Sequence, residues 1–209
     1  MREPPAMKAR LMFVAAGLAV LAPVAAAQSG PSFDCSKAEH EIEDLICKDH
    51  ELAARDRKLA EVYAAAVKAM ESVDSGGSEA VQELKTTQRG WIGGRNECWK
   101  ADDKRQCTID LYDRRTAFLQ ARYFLVEGGE PVFYTCNGNP ADEIVATFIP
   151  TDPPSVRLER GDSLEIGVAS PSGSGTRYDA DFGVFFWVQG DDAQVAWPQD
   201  NEFNCTVRK

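Results

Sequence analysis

Histidine is scarce in this 209-residue chain, which has two, His40 and His50. Neither forms a metal-ligand pattern with the cysteines, so no metal is expected. The signatures of common catalysis are missing as well: there is no G-x-S-x-G elbow, no H-E-x-x-H and no phosphate loop. Carboxylates abound, yet no pair stands out as an acid/base couple. The sequence therefore reads as a non-enzyme without a cofactor, and both histidines read as solvated surface at a charged helix start. Positive charge is in deficit, with 23 Lys+Arg against 33 Asp+Glu and a net charge of −10. An acidic surface repels phosphates, which argues against nucleic acid, and it suits a cationic partner steered in by charge.

What is there begins with an export signal. Lys8 and Arg10 precede the apolar run LMFVAAGLAVLAPVAAA, which ends in small residues before Gln28. This is the architecture of a signal peptide over residues 1–27, cut after Ala27. Pro23 and the short length argue against a membrane span. No cysteine directly follows the small residues, so a soluble periplasmic or secreted product without a membrane anchor is expected. Removing Arg2, Lys8, Arg10 and Glu3 with that segment changes the net charge from −10 to −12.

All six cysteines, at 35, 47, 98, 107, 136 and 205, lie beyond it. An even count in an exported chain implies disulfides, and six cysteines allow 15 connectivities. Four fall in the first half and two in the second, so two bridges belong to one domain and one to the other.

Residues 28–127 read as helical. Ser36 and Glu39 fit a capping box, and Ile42, Ile46, Leu52, Leu59, Tyr63, Val67 and Met70 recur at helical spacing. Ser75-Gly76-Gly77-Ser78 stops that helix, and Ser78 can cap the next, which carries Val81, Leu84, Trp91, Ile92 and Arg95 to Cys98. Gly90, Gly93 and Gly94 cost about 1 kcal/mol each inside a helix and point to close packing or a kink. A third helix runs near 104–126. Asp56 lies within an apolar face, where an unpaired charge is costly, so Arg89 or Arg95 is its expected partner beside Trp91.

Gly128 to Pro131 reads as a linker. From there the pattern switches to short runs at 132–136, 144–149, 155–158, 163–168, 177–178, 184–188, 194–197 and 204–207. Frequent turn signals between them indicate a small antiparallel barrel or sandwich over 132–209, closed by a Cys136–Cys205 bridge between first and last strands. The fold class is thus α+β in two domains: a disulfide-stapled helical hairpin or bundle, then a small antiparallel β-barrel. Arg160-Gly161-Asp162 reads as a solvated turn.

The most distinctive stretch is 172–193, SGSGTRYDADFGVFFWVQGDDA. Gly173 and Gly175 tolerate positive φ, and with Ser172, Ser174 and Thr176 they form a loop of small side chains that a partner can approach closely. Tyr178 starts a strand, and Val184 to Val188 reads as a largely buried one.

The string SG-T-RY, a short acidic spacer, FFWVQGDDA and the terminal Cys205 together resemble the MliC/PliC family of bacterial inhibitors of c-type lysozyme. In that family the Ser of the loop and a Lys of the following segment enter the lysozyme cleft. The resemblance implies c-type lysozyme as partner and a lysozyme-binding set of Ser174, Gly175, Arg177, Tyr178 and Gln189. Gln189 occupies the Lys position, where it offers neutral hydrogen bonds in place of charge-assisted ones, which are about twice as strong. Arg177 could supply the missing charge. The reading from another class is an envelope glycan or protein binding module that uses Tyr178, Trp187 or Trp197 as stacking platforms.

The helical half carries C-xx-A-xxxx-E-xx-I-C from Cys35 to Cys47, QR-x-W-xxx-R-xx-C from Gln88 to Cys98, and then Cys107, Tyr112 and Arg115. This resembles the LprI N-terminal domain family, which is associated with lysozyme inhibition. If the first two helices fold back about Gly76-Gly77, Cys47 lies level with Cys98 and Cys35 nearer Cys107. Nested Cys35–Cys107 and Cys47–Cys98 bridges are therefore expected.

Overall fold

The computed structural model describes residues 30–198 and 200–209; the expected signal peptide lies outside the described residues. Four α-helices come first: α1 (Glu41–Lys48), α2 (His50–Glu71), α3 (Gly77–Asn96) and α4 (Lys104–Arg122). Eight strands follow: β1 (Val132–Cys136), β2 (Asn139–Ile149), β3 (Ser155–Arg160), β4 (Ser163–Ser170), β5 (Thr176–Asp179), β6 (Phe185–Gln189), β7 (Asp192–Ala196) and β8 (Phe203–Val207). They close in sequence order into an antiparallel barrel. The α+β two-domain layout is as the sequence implied.

The helical starts differ in detail from the sequence reading. Ser36 caps nothing; it lies in a short 3-10 turn, Cys35–Lys37, capped by Asp34. The capping box sits four residues further on. His40 Nδ1 accepts from Ile42 N at 3.1 Å, and the Glu43 carboxylate accepts from the amides of Glu39 and His40. His40 is thus a helix cap and not free surface. Asp49 ends α1 and caps α2 through Glu51 N and Leu52 N, so the first apolar periodicity spans two helices. Ser78 bonds Glu79 instead of capping α3, whose N-cap is Gly76 in a left-handed conformation (φ 80°). Beside it Gly77 is obligatory: a Cβ there would lie 2.3 Å from the Met70 carbonyl oxygen. Gly90, Gly93 and Gly94 adjoin open space in an unbroken helix. Neither close packing nor a kink accounts for them.

The disulfides are Cys35–Cys47, Cys98–Cys107 and Cys136–Cys205. The third is as expected, and the nested pair is corrected. The turn at 35–37 reverses the chain before α1, which brings Cys35 beside Cys47 (Cα–Cα 5.9 Å). Cys98 lies in the turn Glu97–Lys100 and meets Cys107 in the first turns of α4 (Cα–Cα 5.7 Å). Both bridges therefore staple local reversals and do not tie one helical hairpin across.

The helical core packs Ile42, Ile46, Leu52, Leu59, Leu84, Tyr112 and Leu119 out of solvent. Asp56 is buried among them, but its partners are not arginines. Its carboxylate accepts from the Tyr112 hydroxyl at 2.8 Å and from Ser32 N at 2.6 Å, while Arg95 donates to the same Tyr112 oxygen at 2.9 Å. Trp91 packs edge-on against Tyr112 at 5.3 Å. Arg95 thus reaches Asp56 through a tyrosine.

In the barrel, Tyr134, Ile144, Ala146, Val156, Leu158, Tyr178, Phe186 and Val195 point inward and fill the interior. Cys136 and Cys205 face each other across the β1–β8 seam, so the bridge joins the ends of the sheet where it closes. Helix α4 lies on the outside of β3 and β4, and its Ala121 and Phe118 meet Ile149, Ile166 and Leu164. Arg114 donates to the backbone carbonyls of Asp179 (3.1 Å) and Val168 (3.5 Å), which couples the helical half to β5 and β4.

Candidate functional site

Strands that run up and down in sequence order place alternate connections at the same end of the barrel. The β4–β5 loop, 171–175, therefore shares an end with the β6–β7 turn at Gly190-Asp191. Thr176 pairs with Val188 and Arg177 with Trp187, so the loop emerges next to the last residue of β6, Gln189.

The loop's shape follows from its residues. Gly175 has φ +61°, and a Cβ there would lie 2.2 Å from the Val188 carbonyl oxygen and 2.9 Å from Gln189 Cγ. Only glycine fits, and its bareness lets the loop lie directly on the end of β6. Ser172 Oγ donates to Gly175 O at 3.1 Å inside the loop, and the indole N–H of Trp187 donates to Ser174 O at 2.7 Å. With its carbonyl turned to the indole, Ser174 is exposed, and its hydroxyl has no hydrogen-bond partner among the described residues.

Below the loop, Ser170 and Arg177 face each other across β4 and β5. Both bond Asp179: the Ser170 hydroxyl donates to one carboxylate oxygen, and Arg177 Nε donates to the other at 2.7 Å. Burial pushes the Asp179 carboxyl up, but the Ser170 and Arg177 bonds outweigh it and hold it below the usual value of 3.8. Arg177 also stacks over Phe185 at 3.9 Å. Its guanidinium is thus paired with Asp179 and stacked along the barrel wall, beside the loop.

Tyr178 points into the barrel, is 7% exposed and tilts against Phe148 with ring centroids 5.7 Å apart. Burial pushes its hydroxyl pKa up. It supports the loop's strand from inside and presents nothing to a partner. The structure thus brings together Ser174, Gly175 and Gln189, with Tyr178 behind them and Arg177 to the side. Sequence reasoning missed Trp187 as part of this site. Its cross-strand position opposite Arg177 and Gln194 places it on the outer face, and the period-two alternation with inward Phe186 carried that signal. Asp191, at the neighbouring turn, is exposed and pairs with Lys209 at 3.0 Å. Among the described residues no group of three or more His, Cys, Asp or Glu could hold a metal ion, and no helix is long and apolar enough to cross a membrane.

Two family models match the two halves of the chain. Residues 134–204 fit the family model described as membrane-bound lysozyme-inhibitor of c-type lysozyme, MliC. Residues 35–119 fit the model described as lysozyme inhibitor LprI. The chain is similar to proteins named Lipoprotein LprI from Mycobacterium tuberculosis and Mycobacterium bovis, at 26% identity over 160 residues and 76% of each chain. It is also 33% identical over 122 residues to an uncharacterized protein of Rhizobium meliloti, a match that covers 49% of this chain and 86% of that one. Most of the helical half thus resembles the LprI family and most of the barrel the MliC family, both described as lysozyme inhibitors.

Proposed function

We propose that this protein is an exported, non-catalytic inhibitor of c-type lysozyme that inserts the Ser174 loop into the enzyme's sugar-binding cleft and shields peptidoglycan from hydrolysis. The observation that carries the reading is the loop itself. A glycine-shaped turn is held against the barrel end and projects a serine hydroxyl with no partner among the described residues, inside a domain that matches the c-type inhibitor model. A preformed loop loses little conformational freedom on binding, which favours affinity. Ser174 hydrogen-bonds toward the catalytic carboxylates, and Gln189 lies beside it to add neutral bonds. The acidic surface, with net charge −10 for the whole chain, steers a cationic enzyme toward the protein.

The stacking-platform alternative loses two of its three aromatics, because Tyr178 and Trp197 are 7% and 8% exposed. The third, Trp187, is committed to the loop. The inhibitor reading is tested by lysis of a cell-wall suspension by a c-type lysozyme in the presence of the oxidised protein, Ser174→Ala and Gln189→Lys. Inhibition that weakens with the first change and strengthens with the second supports it. Full lysis with every version at large molar excess overturns it.

A further inference from the structure

We propose that Trp187 is a positioning residue whose indole N–H fixes the β4–β5 loop in the conformation that presents Ser174. In its functional consequence the inference rests on the inhibitor reading above; in its structural content it does not. Two side-chain hydrogen bonds involve the loop's carbonyls among the described residues. The Ser172–Gly175 bond is internal to the loop and can move with it. The Trp187 bond, at 2.7 Å, ties the loop to the barrel at Ser174 itself.

Three features suit Trp187 to this task. It is cross-strand from Arg177 on the outer face of β6, so its backbone is fixed by ladder pairing to both β5 and β7. It is half-buried and lies outside the barrel core, which inward Phe186 and Tyr178 fill from the neighbouring positions. Indole is a donor only, so it can hold a carbonyl and cannot compete for the serine hydroxyl. The consequence is directional. With its carbonyl drawn down to the indole, Ser174 stays at the exposed apex, and the strain-free left-handed Gly175 returns the chain to β5.

Trp187→Phe keeps the ring and removes the donor. Because the Ser174 carbonyl is exposed, water can satisfy it in the variant, so the thermal midpoint should stay close to that of the parent. Loop amides 173–176 should exchange faster, and inhibition of a c-type lysozyme should weaken about three- to tenfold, the worth of one hydrogen bond. Unchanged amide exchange in Trp187→Phe overturns the inference whatever the inhibition assay shows. An inhibiting parent with an equally inhibiting Trp187→Phe also overturns it and leaves the inhibitor reading standing. A parent that fails to inhibit removes that reading, and loop exchange still decides the positioning role. If Trp187→Phe does not fold, the exchange of the indole proton in the unaltered protein decides: protection supports the bond, and exchange at the rate of a free indole refutes it.

Discussion

The hydroxyl of Tyr112 stands between Asp56 and Arg95, donating to the first at 2.8 Å and accepting from the second at 2.9 Å. Tyr112 is fully buried, and Asp56 and Arg95 are 7% and 4% exposed. Tyr112→Phe leaves one acceptor and one donor short of a partner in the helical core. The expected cost is about 2 to 4 kcal/mol in urea unfolding. A loss below about 0.5 kcal/mol would mean that water replaces the hydroxyl.

The Cys136–Cys205 bridge spans 69 residues, against 12 and 9 for the two helical bridges. On the loop-entropy model, replacing the pair with alanines lowers stability by about 4 kcal/mol, against about 3 kcal/mol for either helical pair. Thermal melts of the three double variants check the order.

Gly175→Ala places a methyl group against the Val188 carbonyl in a left-handed backbone. The loop must lift off β6, at a cost of about 1 kcal/mol or more. Inhibition should fall further than for Ser174→Ala, since the whole loop moves. Equal inhibition by Gly175→Ala and the parent would show that the loop's resting shape is irrelevant.

Burial raises the Glu165 carboxyl, with Asp181 adding to the effect and Arg122 opposing it. An acid whose folded pKa lies above its unfolded value, 4.5, destabilises the fold once it ionises. That penalty is absent below about pH 4 and complete above the raised folded value. Glu165→Gln should therefore melt higher than the parent at pH 7, and the two should converge as the pH falls through 4.5. A gap that persists at pH 3.5 would point to a packing effect and not to charge.

Much of this architecture was legible in the residues. The period-two runs after Pro131 gave the barrel strands to within a few positions, β1 at both ends, because each turn carries its own Gly, Asn or Pro signal. All eight pair antiparallel with their neighbours in sequence, in seven pairings whose register the alternation dictates. The β1–β8 bridge followed from the same topology. The helical pairing did not, because a 3-10 turn of three residues reverses the chain at Cys35, and such a turn has no periodicity to read. Asp56 was recognisable as needing a partner, yet its partner is 56 residues away on α4, beyond the reach of local pattern. Ser174, Gly175 and Gln189 were proposed from their motif, and the structure places them side by side at one end of the barrel. Trp187 was legible from alternation as an outward residue, but its hydrogen bond to the Ser174 carbonyl depends on cross-strand register and loop geometry, which the sequence pattern does not carry.

All three disulfides join cysteines that are consecutive in the chain: first with second, third with fourth, fifth with sixth. Of the 15 possible arrangements, this is the one in which every cysteine pairs with its neighbour in sequence, the order that oxidation from the N-terminus onward would reach. In such an order each newly available thiol has its partner as the nearest unpaired one before it, so no reshuffling, which takes seconds to hours, is needed. The nested arrangement would have required Cys47 to wait unpaired beside Cys35 until α3 had emerged. The first two bridges can thus close without the barrel, and the third seals the barrel only when its last strand pairs with its first.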